Sequence, residues 1–267
     1  MKGLYLYCIR AHGATNSVKM KGIDSGEEIM AVPFKDIEAL VSGIDLSRFN
    51  GKEIEDKMKE DLKWTEKNVR CHHGVIAETY RHSAVIPMKF GTVFKTKKSL
   101  AEMLKTHYGK FKRLLAKLGN KQEWGVKIYL EHEKFVEFLK QENREVKKLE
   151  KEKLAMPEGR RWYAEKKIEK SIAAQFEEEV ENQLQAVINR LENFCEQVVL
   201  CDFLPKEAAA DEDNIFNAAC LIDKNKLDDF KKLLQEMRKE YEKIGGALVT
   251  TGPWPPYNFV QLNEKKR

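Results

Sequence analysis

The densest set of chemistry-bearing side chains lies in the stretch CHHGVIAETYRH, which brings Cys71, His72, His73, Glu78 and His82 within twelve residues. Glu78 and His82 stand four apart and would share one face of a helix, a spacing that offers two metal ligands. A metal-dependent enzyme built on this Cys71 to His82 cluster is therefore the alternative reading of the chain. Against it, a metal centre needs three or four ligands, and neither H-E-x-x-H nor a similar spacing is present. His72 and His73 straddle an apolar stripe running from Val69 to Ile76, which would set one at the margin of a core and the other in solvent. Ser83 follows His82 without a G-x-S-x-G elbow, and Cys71 precedes His72 on a helix, where adjacent side chains point about 100° apart. The glycines of HGATNSVKMKG have neither phosphate-loop spacing, and Gly245-Gly246 leads into a strand, not a helix N-terminus. The many carboxylates sit in Glu/Lys helices, where solvated pairing one turn apart explains them. The sequence thus assigns no catalytic, cofactor-binding or metal-ligating residue, and the chain does not read as an enzyme.

Two further groups combine aromatic residues with backbone specialists. Phe90-Gly91 in MKFGTVF and Trp124-Gly125 in EWGVKIY each place a ring beside a glycine in a strand-like segment, which marks a bulge or a close backbone approach. Their first reading is core packing; their second is a sheet edge offered to a partner. Near the C-terminus, GPWPPYNFV spans Gly252 to Val260. Pro253, Pro255 and Pro256 lack N–H donors and fix φ, so they should end the strand ALVTT and hold an extended turn. Trp254, Tyr257 and Phe259 would then be rigidly presented rings, folded back as a clasp across the domain junction with some ring surface left for a partner. Pro253 to Pro256 also spells P-x-x-P, the form of a ligand for an aromatic-lined groove.

Positioning these groups requires elements of two kinds. GLYLYCI, from Gly3 to Ile9, is short and almost wholly apolar, the mark of a strand covered on both faces. EEIMAV and DIEALVS are two more strand candidates, with Pro33 between them. From Ile54 through Met58, Leu62, Thr65, Val69 and Ile76 to Tyr80 the apolar spacing changes to threes and fours, an amphipathic helix. AVIPMKFGTVF (Ala84 to Phe94) reads as a strand with a break at Gly91. A charged helix follows, stopping at Gly119-Asn120, and EWGVKIYL alternates as a half-buried strand. Residues 1–130 thus form an α+β domain with helices on one face of a sheet, most simply ferredoxin-like.

Residues 131–267 form the second domain. Phe135, Phe138, Leu139, Val146 and Leu149 make one helical face, and a stripe from Ile168 to Val198 makes another, separated by Pro157 and Gly159. The pair should close as a long antiparallel helical hairpin of coiled-coil character over 131–200. Strand NIFNAACLI, a helix with Leu227, Phe230, Leu234, Met237, Tyr241 and Ile244 inward, and strand GGALVTTG complete a small α/β unit with a parallel strand pair.

Composition agrees with a folded body. With 267 residues, 42% hydrophobic and 34% charged, the chain can bury a sizeable core. A net charge of +5 from 48 basic and 43 acidic residues is too thin an excess for a nucleic-acid-binding face. Five scattered cysteines without C-x-x-C read as reduced thiols. The N-terminal apolar run is too short for a signal peptide, and no stretch approaches the roughly 18 residues of a membrane span. A cytoplasmic location follows, with no membrane partner.

Four of these segments, GLYLYCI, VIPMKFGTVF (Val85 to Phe94), EWGVKIY (Glu123 to Tyr129) and above all TGPWPPYNFV (Thr251 to Val260), resemble the GvpF/GvpL family of gas vesicle proteins in order and spacing over essentially the whole chain. The long Glu/Lys hairpin departs most from that pattern. The resemblance implies an N-terminal ferredoxin-like domain, a C-terminal α+β domain with coiled-coil helices, and no catalytic residues or cofactor. It implies an accessory role in gas vesicle formation, with the hydrophobic shell protein and other accessory proteins as partners, either during assembly or as a minor shell-associated component.

Overall fold

The computed structural model describes residues 2–14, 19–23, 27–49, 51–142, 144–202 and 212–260. In chain order the elements are β1 (Lys2–Ala11), β2 (Met30–Phe34), β3 (Ile37–Asp45), α1 (Gly51–Glu60), α2 (Leu62–Tyr80), β4 (Val85–Pro87), β5 (Val93–Phe94) and α3 (Lys97–Leu118). They continue as β6 (Lys121–Glu131), α4 (His132–Glu142), α5 (Arg144–Ala155), α6 (Glu158–Phe194), β7 (Gln197–Leu200), β8 (Glu212–Asp223), α7 (Leu227–Lys243) and β9 (Gly246–Trp254), with a 3₁₀ turn at Tyr257–Phe259. The chain divides into two compact units, one of residues 1–123 with 253–267 and one of residues 124–252. The terminal segment, grouped with the second half on sequence grounds, is therefore part of the first unit.

The first unit is built on the antiparallel sheet β2-β3-β1-β4, with β5 also pairing β1. Every residue of β1 from Gly3 to Arg10 is buried, as its unbroken apolar run requires. Its side chains alternate: Leu4, Leu6 and Ile9 meet Leu100, Leu104 and Phe111 of α3, while Tyr5 and Tyr7 meet Val75 and Ile76 of α2. A β-bulge between Leu6 and Cys8 leaves Tyr7 without a partner on β3 and turns both Tyr7 and Cys8 to the α2 side. Helices thus cover both faces of the sheet, not one. The single helix expected from Ile54 to Tyr80 is divided at Asp61, whose carboxylate accepts the Trp64 N–H at 2.9 Å and starts α2 afresh. Thr96 and Ser99 form a reciprocal capping box that opens α3.

The second unit carries the sheet β7-β8-β6-β9, and both sheets of the protein are antiparallel. Val126, Ile128 and Leu130 of β6 and Phe216, Ala218, Cys220 and Ile222 of β8 supply one face of a core completed by Phe135, Leu139, Val187, Leu191, Phe230, Leu234, Met237 and Tyr241. The alternation in β6 and the 3-4 spacing in α7 are both explained by burial against this core. Helices α5 and α6 close as the expected hairpin, with Val146 and Leu149 against Ile168 and Ile172 and a Lys153–Glu165 ion pair at 3.0 Å.

Two further expectations are corrected. Helix α6 stops at Phe194, because Cys195 is already extended (φ −87°, ψ 145°), and Val198 lies in β7 opposite Cys220. Strands β8 and β9 do not pair, since β6 lies between them and gives each an antiparallel neighbour.

Gly245 ends α7 at φ +76°, and a Cβ there would collide with Lys134 Cβ and crowd the backbone of Phe135. Gly245→Ala combines a left-handed strain with that clash, so it should destabilise the second unit by about 2 kcal/mol. Denaturant unfolding followed through β8 amide exchange measures this; an effect below half that size would show that α4 yields freely.

Candidate interaction site on the C-terminal aromatic segment

The Cys71 to His82 stretch lies on and just after α2, where each polar group already has a structural task. His72 is buried, with Nδ1 at 2.9 Å from Tyr5 Oη and Nε2 at 3.1 Å from the Met88 carbonyl oxygen. A carbonyl only accepts, so Nε2 carries the proton; Nδ1 then accepts from the Tyr5 hydroxyl, whose oxygen takes the Gly91 N–H at 3.0 Å. Burial holds the imidazole neutral, lowering its pKa to about 4, and pushes the Tyr5 hydroxyl well above its usual range. Cys71 Sγ lies 3.5 Å from the Lys21 carbonyl, with its thiol pKa raised by burial, and Glu78 pairs with Arg81 and His82 at the surface. Among the described residues no three His, Cys, Asp or Glu side chains converge as a metal site. The cluster is architecture for the turn that follows β4.

That turn holds Phe90 and Gly91. Gly91 adopts φ +84°, and the Phe90 ring packs edge-on to Tyr5 (6.2 Å), Trp64 (6.5 Å) and His72 (5.7 Å). Trp124 and Gly125 sit in the second unit. A Cβ on Gly125 would stand 2.7 Å from Thr251 Oγ1, so the glycine permits the close passage of β9 beside β6, while Trp124 packs on the core edge under Lys231 Nζ. The two aromatic-glycine pairs serve separate cores.

The terminal segment is different. Strand β9 runs on through Pro253 to Trp254, further than the prolines suggested, because an edge strand tolerates a missing donor on its open side. Pro256 (φ −77°, ψ 63°) then forms an inverse γ-turn, closed by Tyr257 N–H to Pro255 O at 2.7 Å. Pro255, Pro256 and Phe259 point into the protein, which counts against Pro253 to Pro256 acting as a free P-x-x-P ligand. Asn258 is the latch: its backbone N–H and its side-chain amide donate to the two oxygens of Glu123 at 3.0 and 2.7 Å. Glu123 is almost fully buried, so burial raises its pKa while the two Asn258 bonds pull it down.

The same segment carries a small aromatic platform. The Tyr257 hydroxyl meets His73 Nδ1 at 2.8 Å, and the His73 ring lies 5.7 Å from Trp254 and 5.8 Å from Tyr257, centroid to centroid. Partial burial lowers the His73 pKa, which favours the neutral ring as acceptor of the tyrosine proton. Trp254 remains 39% exposed and Tyr257 36%. Of the residues singled out from the sequence, these two rings meet on His73, and Pro253, Pro255, Pro256 and Phe259 belong to the same segment, the last three of them buried. His73, Glu123 and Asn258 complete the site, and local sequence pattern carried no sign of their pairing, since the partners stand 184 and 135 residues apart.

Comparison with known proteins covers nearly the whole chain. A family model described as "Gas vesicle synthesis protein GvpL/GvpF" matches residues 3–261. The chain is 24% identical over 249 residues to gas vesicle protein F1 of Halobacterium salinarum, covering 91% of this chain and 86% of that protein. It is 23% identical over 258 residues to gas vesicle protein L of a Streptomyces species, covering 90% and 86%. Among solved structures, the fold is similar to that of GvpF from an Anabaena species (TM-score 0.73, 17% identity, 99% of this chain and 100% of that one). It also resembles GvpF from Microcystis aeruginosa (TM-score 0.64, 20% identity, 97% and 99%).

Proposed function

The chain belongs to the GvpL/GvpF family of gas vesicle synthesis proteins, and from that premise we propose that it is a non-enzymatic assembly factor that binds the hydrophobic shell protein and other accessory proteins. It would act in the cytoplasm, during assembly or as a minor component at the vesicle. The observation that carries this reading is the Trp254–His73–Tyr257 platform: two partly exposed rings on a segment that is pinned in place. A shell subunit facing gas must present large apolar surfaces, and such surfaces aggregate before assembly unless a partner covers them. Rigid aromatic rings with a polar edge suit that task, because they bury much area while losing little side-chain entropy. No described helix is long and apolar enough to cross a membrane.

Trp254→Ala separates binding from folding. The ring is too exposed to carry much stability, so the variant should lose less than about 1 kcal/mol. Its capture of co-expressed shell protein should nevertheless fall at least tenfold, the loss of about 1.4 kcal/mol expected for an aromatic anchor. Undiminished capture by a folded Trp254→Ala/Tyr257→Ala double variant would remove the platform from the proposal.

A further inference from the structure

The tip of the α5–α6 hairpin exposes apolar surface for which the second unit has no use. Trp162 and Tyr163, one turn into α6, are 57% and 71% exposed and touch each other edge-to-face at 5.1 Å; Leu154 at the end of α5 is exposed beside them in sequence. The stripe that holds the hairpin together passes through Ala164, Ile168 and Ile172, so these rings lie off it. They are set among positive charge. From Gly159 to Lys170 the sequence has Arg160, Arg161, Lys166, Lys167 and Lys170 against Glu165 and Glu169. Both acids are already paired, Glu165 with Lys153 and Glu169 with Lys166. Arg160, Lys167 and Lys170 have no ion-pair partner among the described residues. The tip is thus an aromatic anchor with a basic rim, and its complement is a concave acidic site with an apolar floor.

The same chain carries such a site. Between α4 and α6 lies a groove of about 370 Å³ whose lining includes Phe138, Leu139, Glu142, Glu178, Glu179 and Asn182. Phe138 stacks on Phe135 at 6.1 Å and presents an aromatic wall. Glu179 accepts only the Gln183 amide, at 2.8 Å, and Glu142 and Glu178 have no ion-pair partner among the described residues. The run Glu177, Glu178, Glu179 and Glu181 contains no basic residue, so the middle of α6 is acidic, whereas its start, even with Glu158 counted, has more basic than acidic residues.

Tip and groove cannot meet within one molecule. Trp162 and Glu178 belong to one uninterrupted helix, α6, and sixteen residues at about 1.5 Å each hold them roughly 24 Å apart. We infer that the occupant of the groove is the hairpin tip of a second copy of this chain, with Trp162 and Tyr163 inserted against Phe138 and Arg160 and Arg161 facing Glu142, Glu178 and Glu179. The contact is heterologous: each copy that gives its tip still has an open groove, and association continues into a ring or a filament. An anionic lipid surface or a nucleic acid would match the basic tip but leaves the groove with no role.

Sedimentation velocity of the full chain over a concentration series tests this. The average mass should climb from the 31.0 kDa monomer with concentration, and climb less in high salt, because exposed charges are screened. Trp162→Ser/Tyr163→Ser should stay at the monomer mass, and so should Glu178→Lys/Glu179→Lys; both pairs lie on helix surfaces, and unchanged far-UV circular dichroism checks that the fold is kept. An equimolar mixture of the two variants should recover a complex of two copies and nothing larger, since one brings an intact groove and the other an intact tip. A wild-type chain that stays monomeric overturns the inference, including the case where the tip is instead captured by anionic vesicles or nucleic acid. Self-association that survives either double variant, or a mixture that fails to pair, overturns it equally.

Discussion

Phe259→Ala should destabilise the first unit by about 3–5 kcal/mol, the usual range for removing a buried phenylalanine. Phe259 is only 5% exposed. Its ring is set inward by two backbone devices: the inverse γ-turn at Pro256 and the following 3₁₀ turn, in which the Phe259 N–H reaches Pro256 O at 3.3 Å. Loss of the ring leaves a cavity in the segment and shifts the task of holding it onto polar contacts, the Asn258–Glu123 latch and the Tyr257–His73 hydrogen bond. That latch is weaker than it looks, because Glu123 is a buried carboxylate whose desolvation offsets much of what two hydrogen bonds contribute. Amide exchange along β1, which reports on the first unit alone, measures the effect. Partner capture should fall with it, because Trp254 and Tyr257 would no longer be held in place. Trp254→Ala is the contrasting case, with capture lost and β1 protection kept. If Phe259→Ala changes β1 protection by less than about 1 kcal/mol, the segment is an appendage and not a structural part of the unit.

The parts of this architecture that could be read from sequence are those fixed by short-range periodicity. β6 shows Val126, Ile128 and Leu130 at every second position and α7 shows Phe230, Leu234, Met237 and Tyr241 at threes and fours, and in both the period states which side chains meet the core. Where one residue satisfies both periods the reading failed: Val198 continues the stripe of α6 at the right spacing, yet a β-branched residue after an extended Cys195 belongs equally well to a strand. Sheet order was illegible for another reason. That β6 would separate β8 from β9 depends on pairing between segments about ninety and about 120 residues apart, and no local preference encodes it. The candidate surface shows the same division. The three prolines and three rings of GPWPPYNFV stand out by composition, whereas His73 is one of five clustered polar residues, read as set at a core margin or in solvent, and Glu123 is one residue of a strand-like segment. Only the fold reveals that the first is a ring for Tyr257 and the second an anchor for Asn258.

The second large effect is on acid stability, and His72 should dominate it. In the unfolded chain its imidazole titrates near 6.5, whereas burial lowers the folded pKa to about 4. Between those two values the unfolded state binds the extra proton, so stability is complete above about pH 6.5, falls as the pH drops, and levels off below about pH 4. The full difference corresponds to about 3 kcal/mol. His73, whose pKa is also lowered by burial, acts in the same direction, while Glu123, with its pKa raised, acts weakly against it by favouring the protonated form in the folded state. The structural reason lies in the hydrogen-bond directions around the ring. Neutral His72 donates to Met88 O and accepts from Tyr5, and Tyr5 accepts from Gly91 N–H, so every group is used once. A proton on Nδ1 would face the Tyr5 hydroxyl and strand that hydroxyl's own proton among Tyr7, Phe49 and Phe90. Denaturant unfolding monitored by β1 amide exchange at a series of pH values from 7 to 4 should show the slope, and His72→Gln, which keeps a donor and an acceptor but cannot titrate, should flatten it even though the variant starts from lower stability. If His72→Gln retains the full acid slope, the titration belongs to another group and the tautomer assigned to His72 is wrong. If it flattens, the Phe90-Gly91 turn is tied to the neutral form of one buried histidine, and acidification would loosen that turn before it disturbed the sheet beneath.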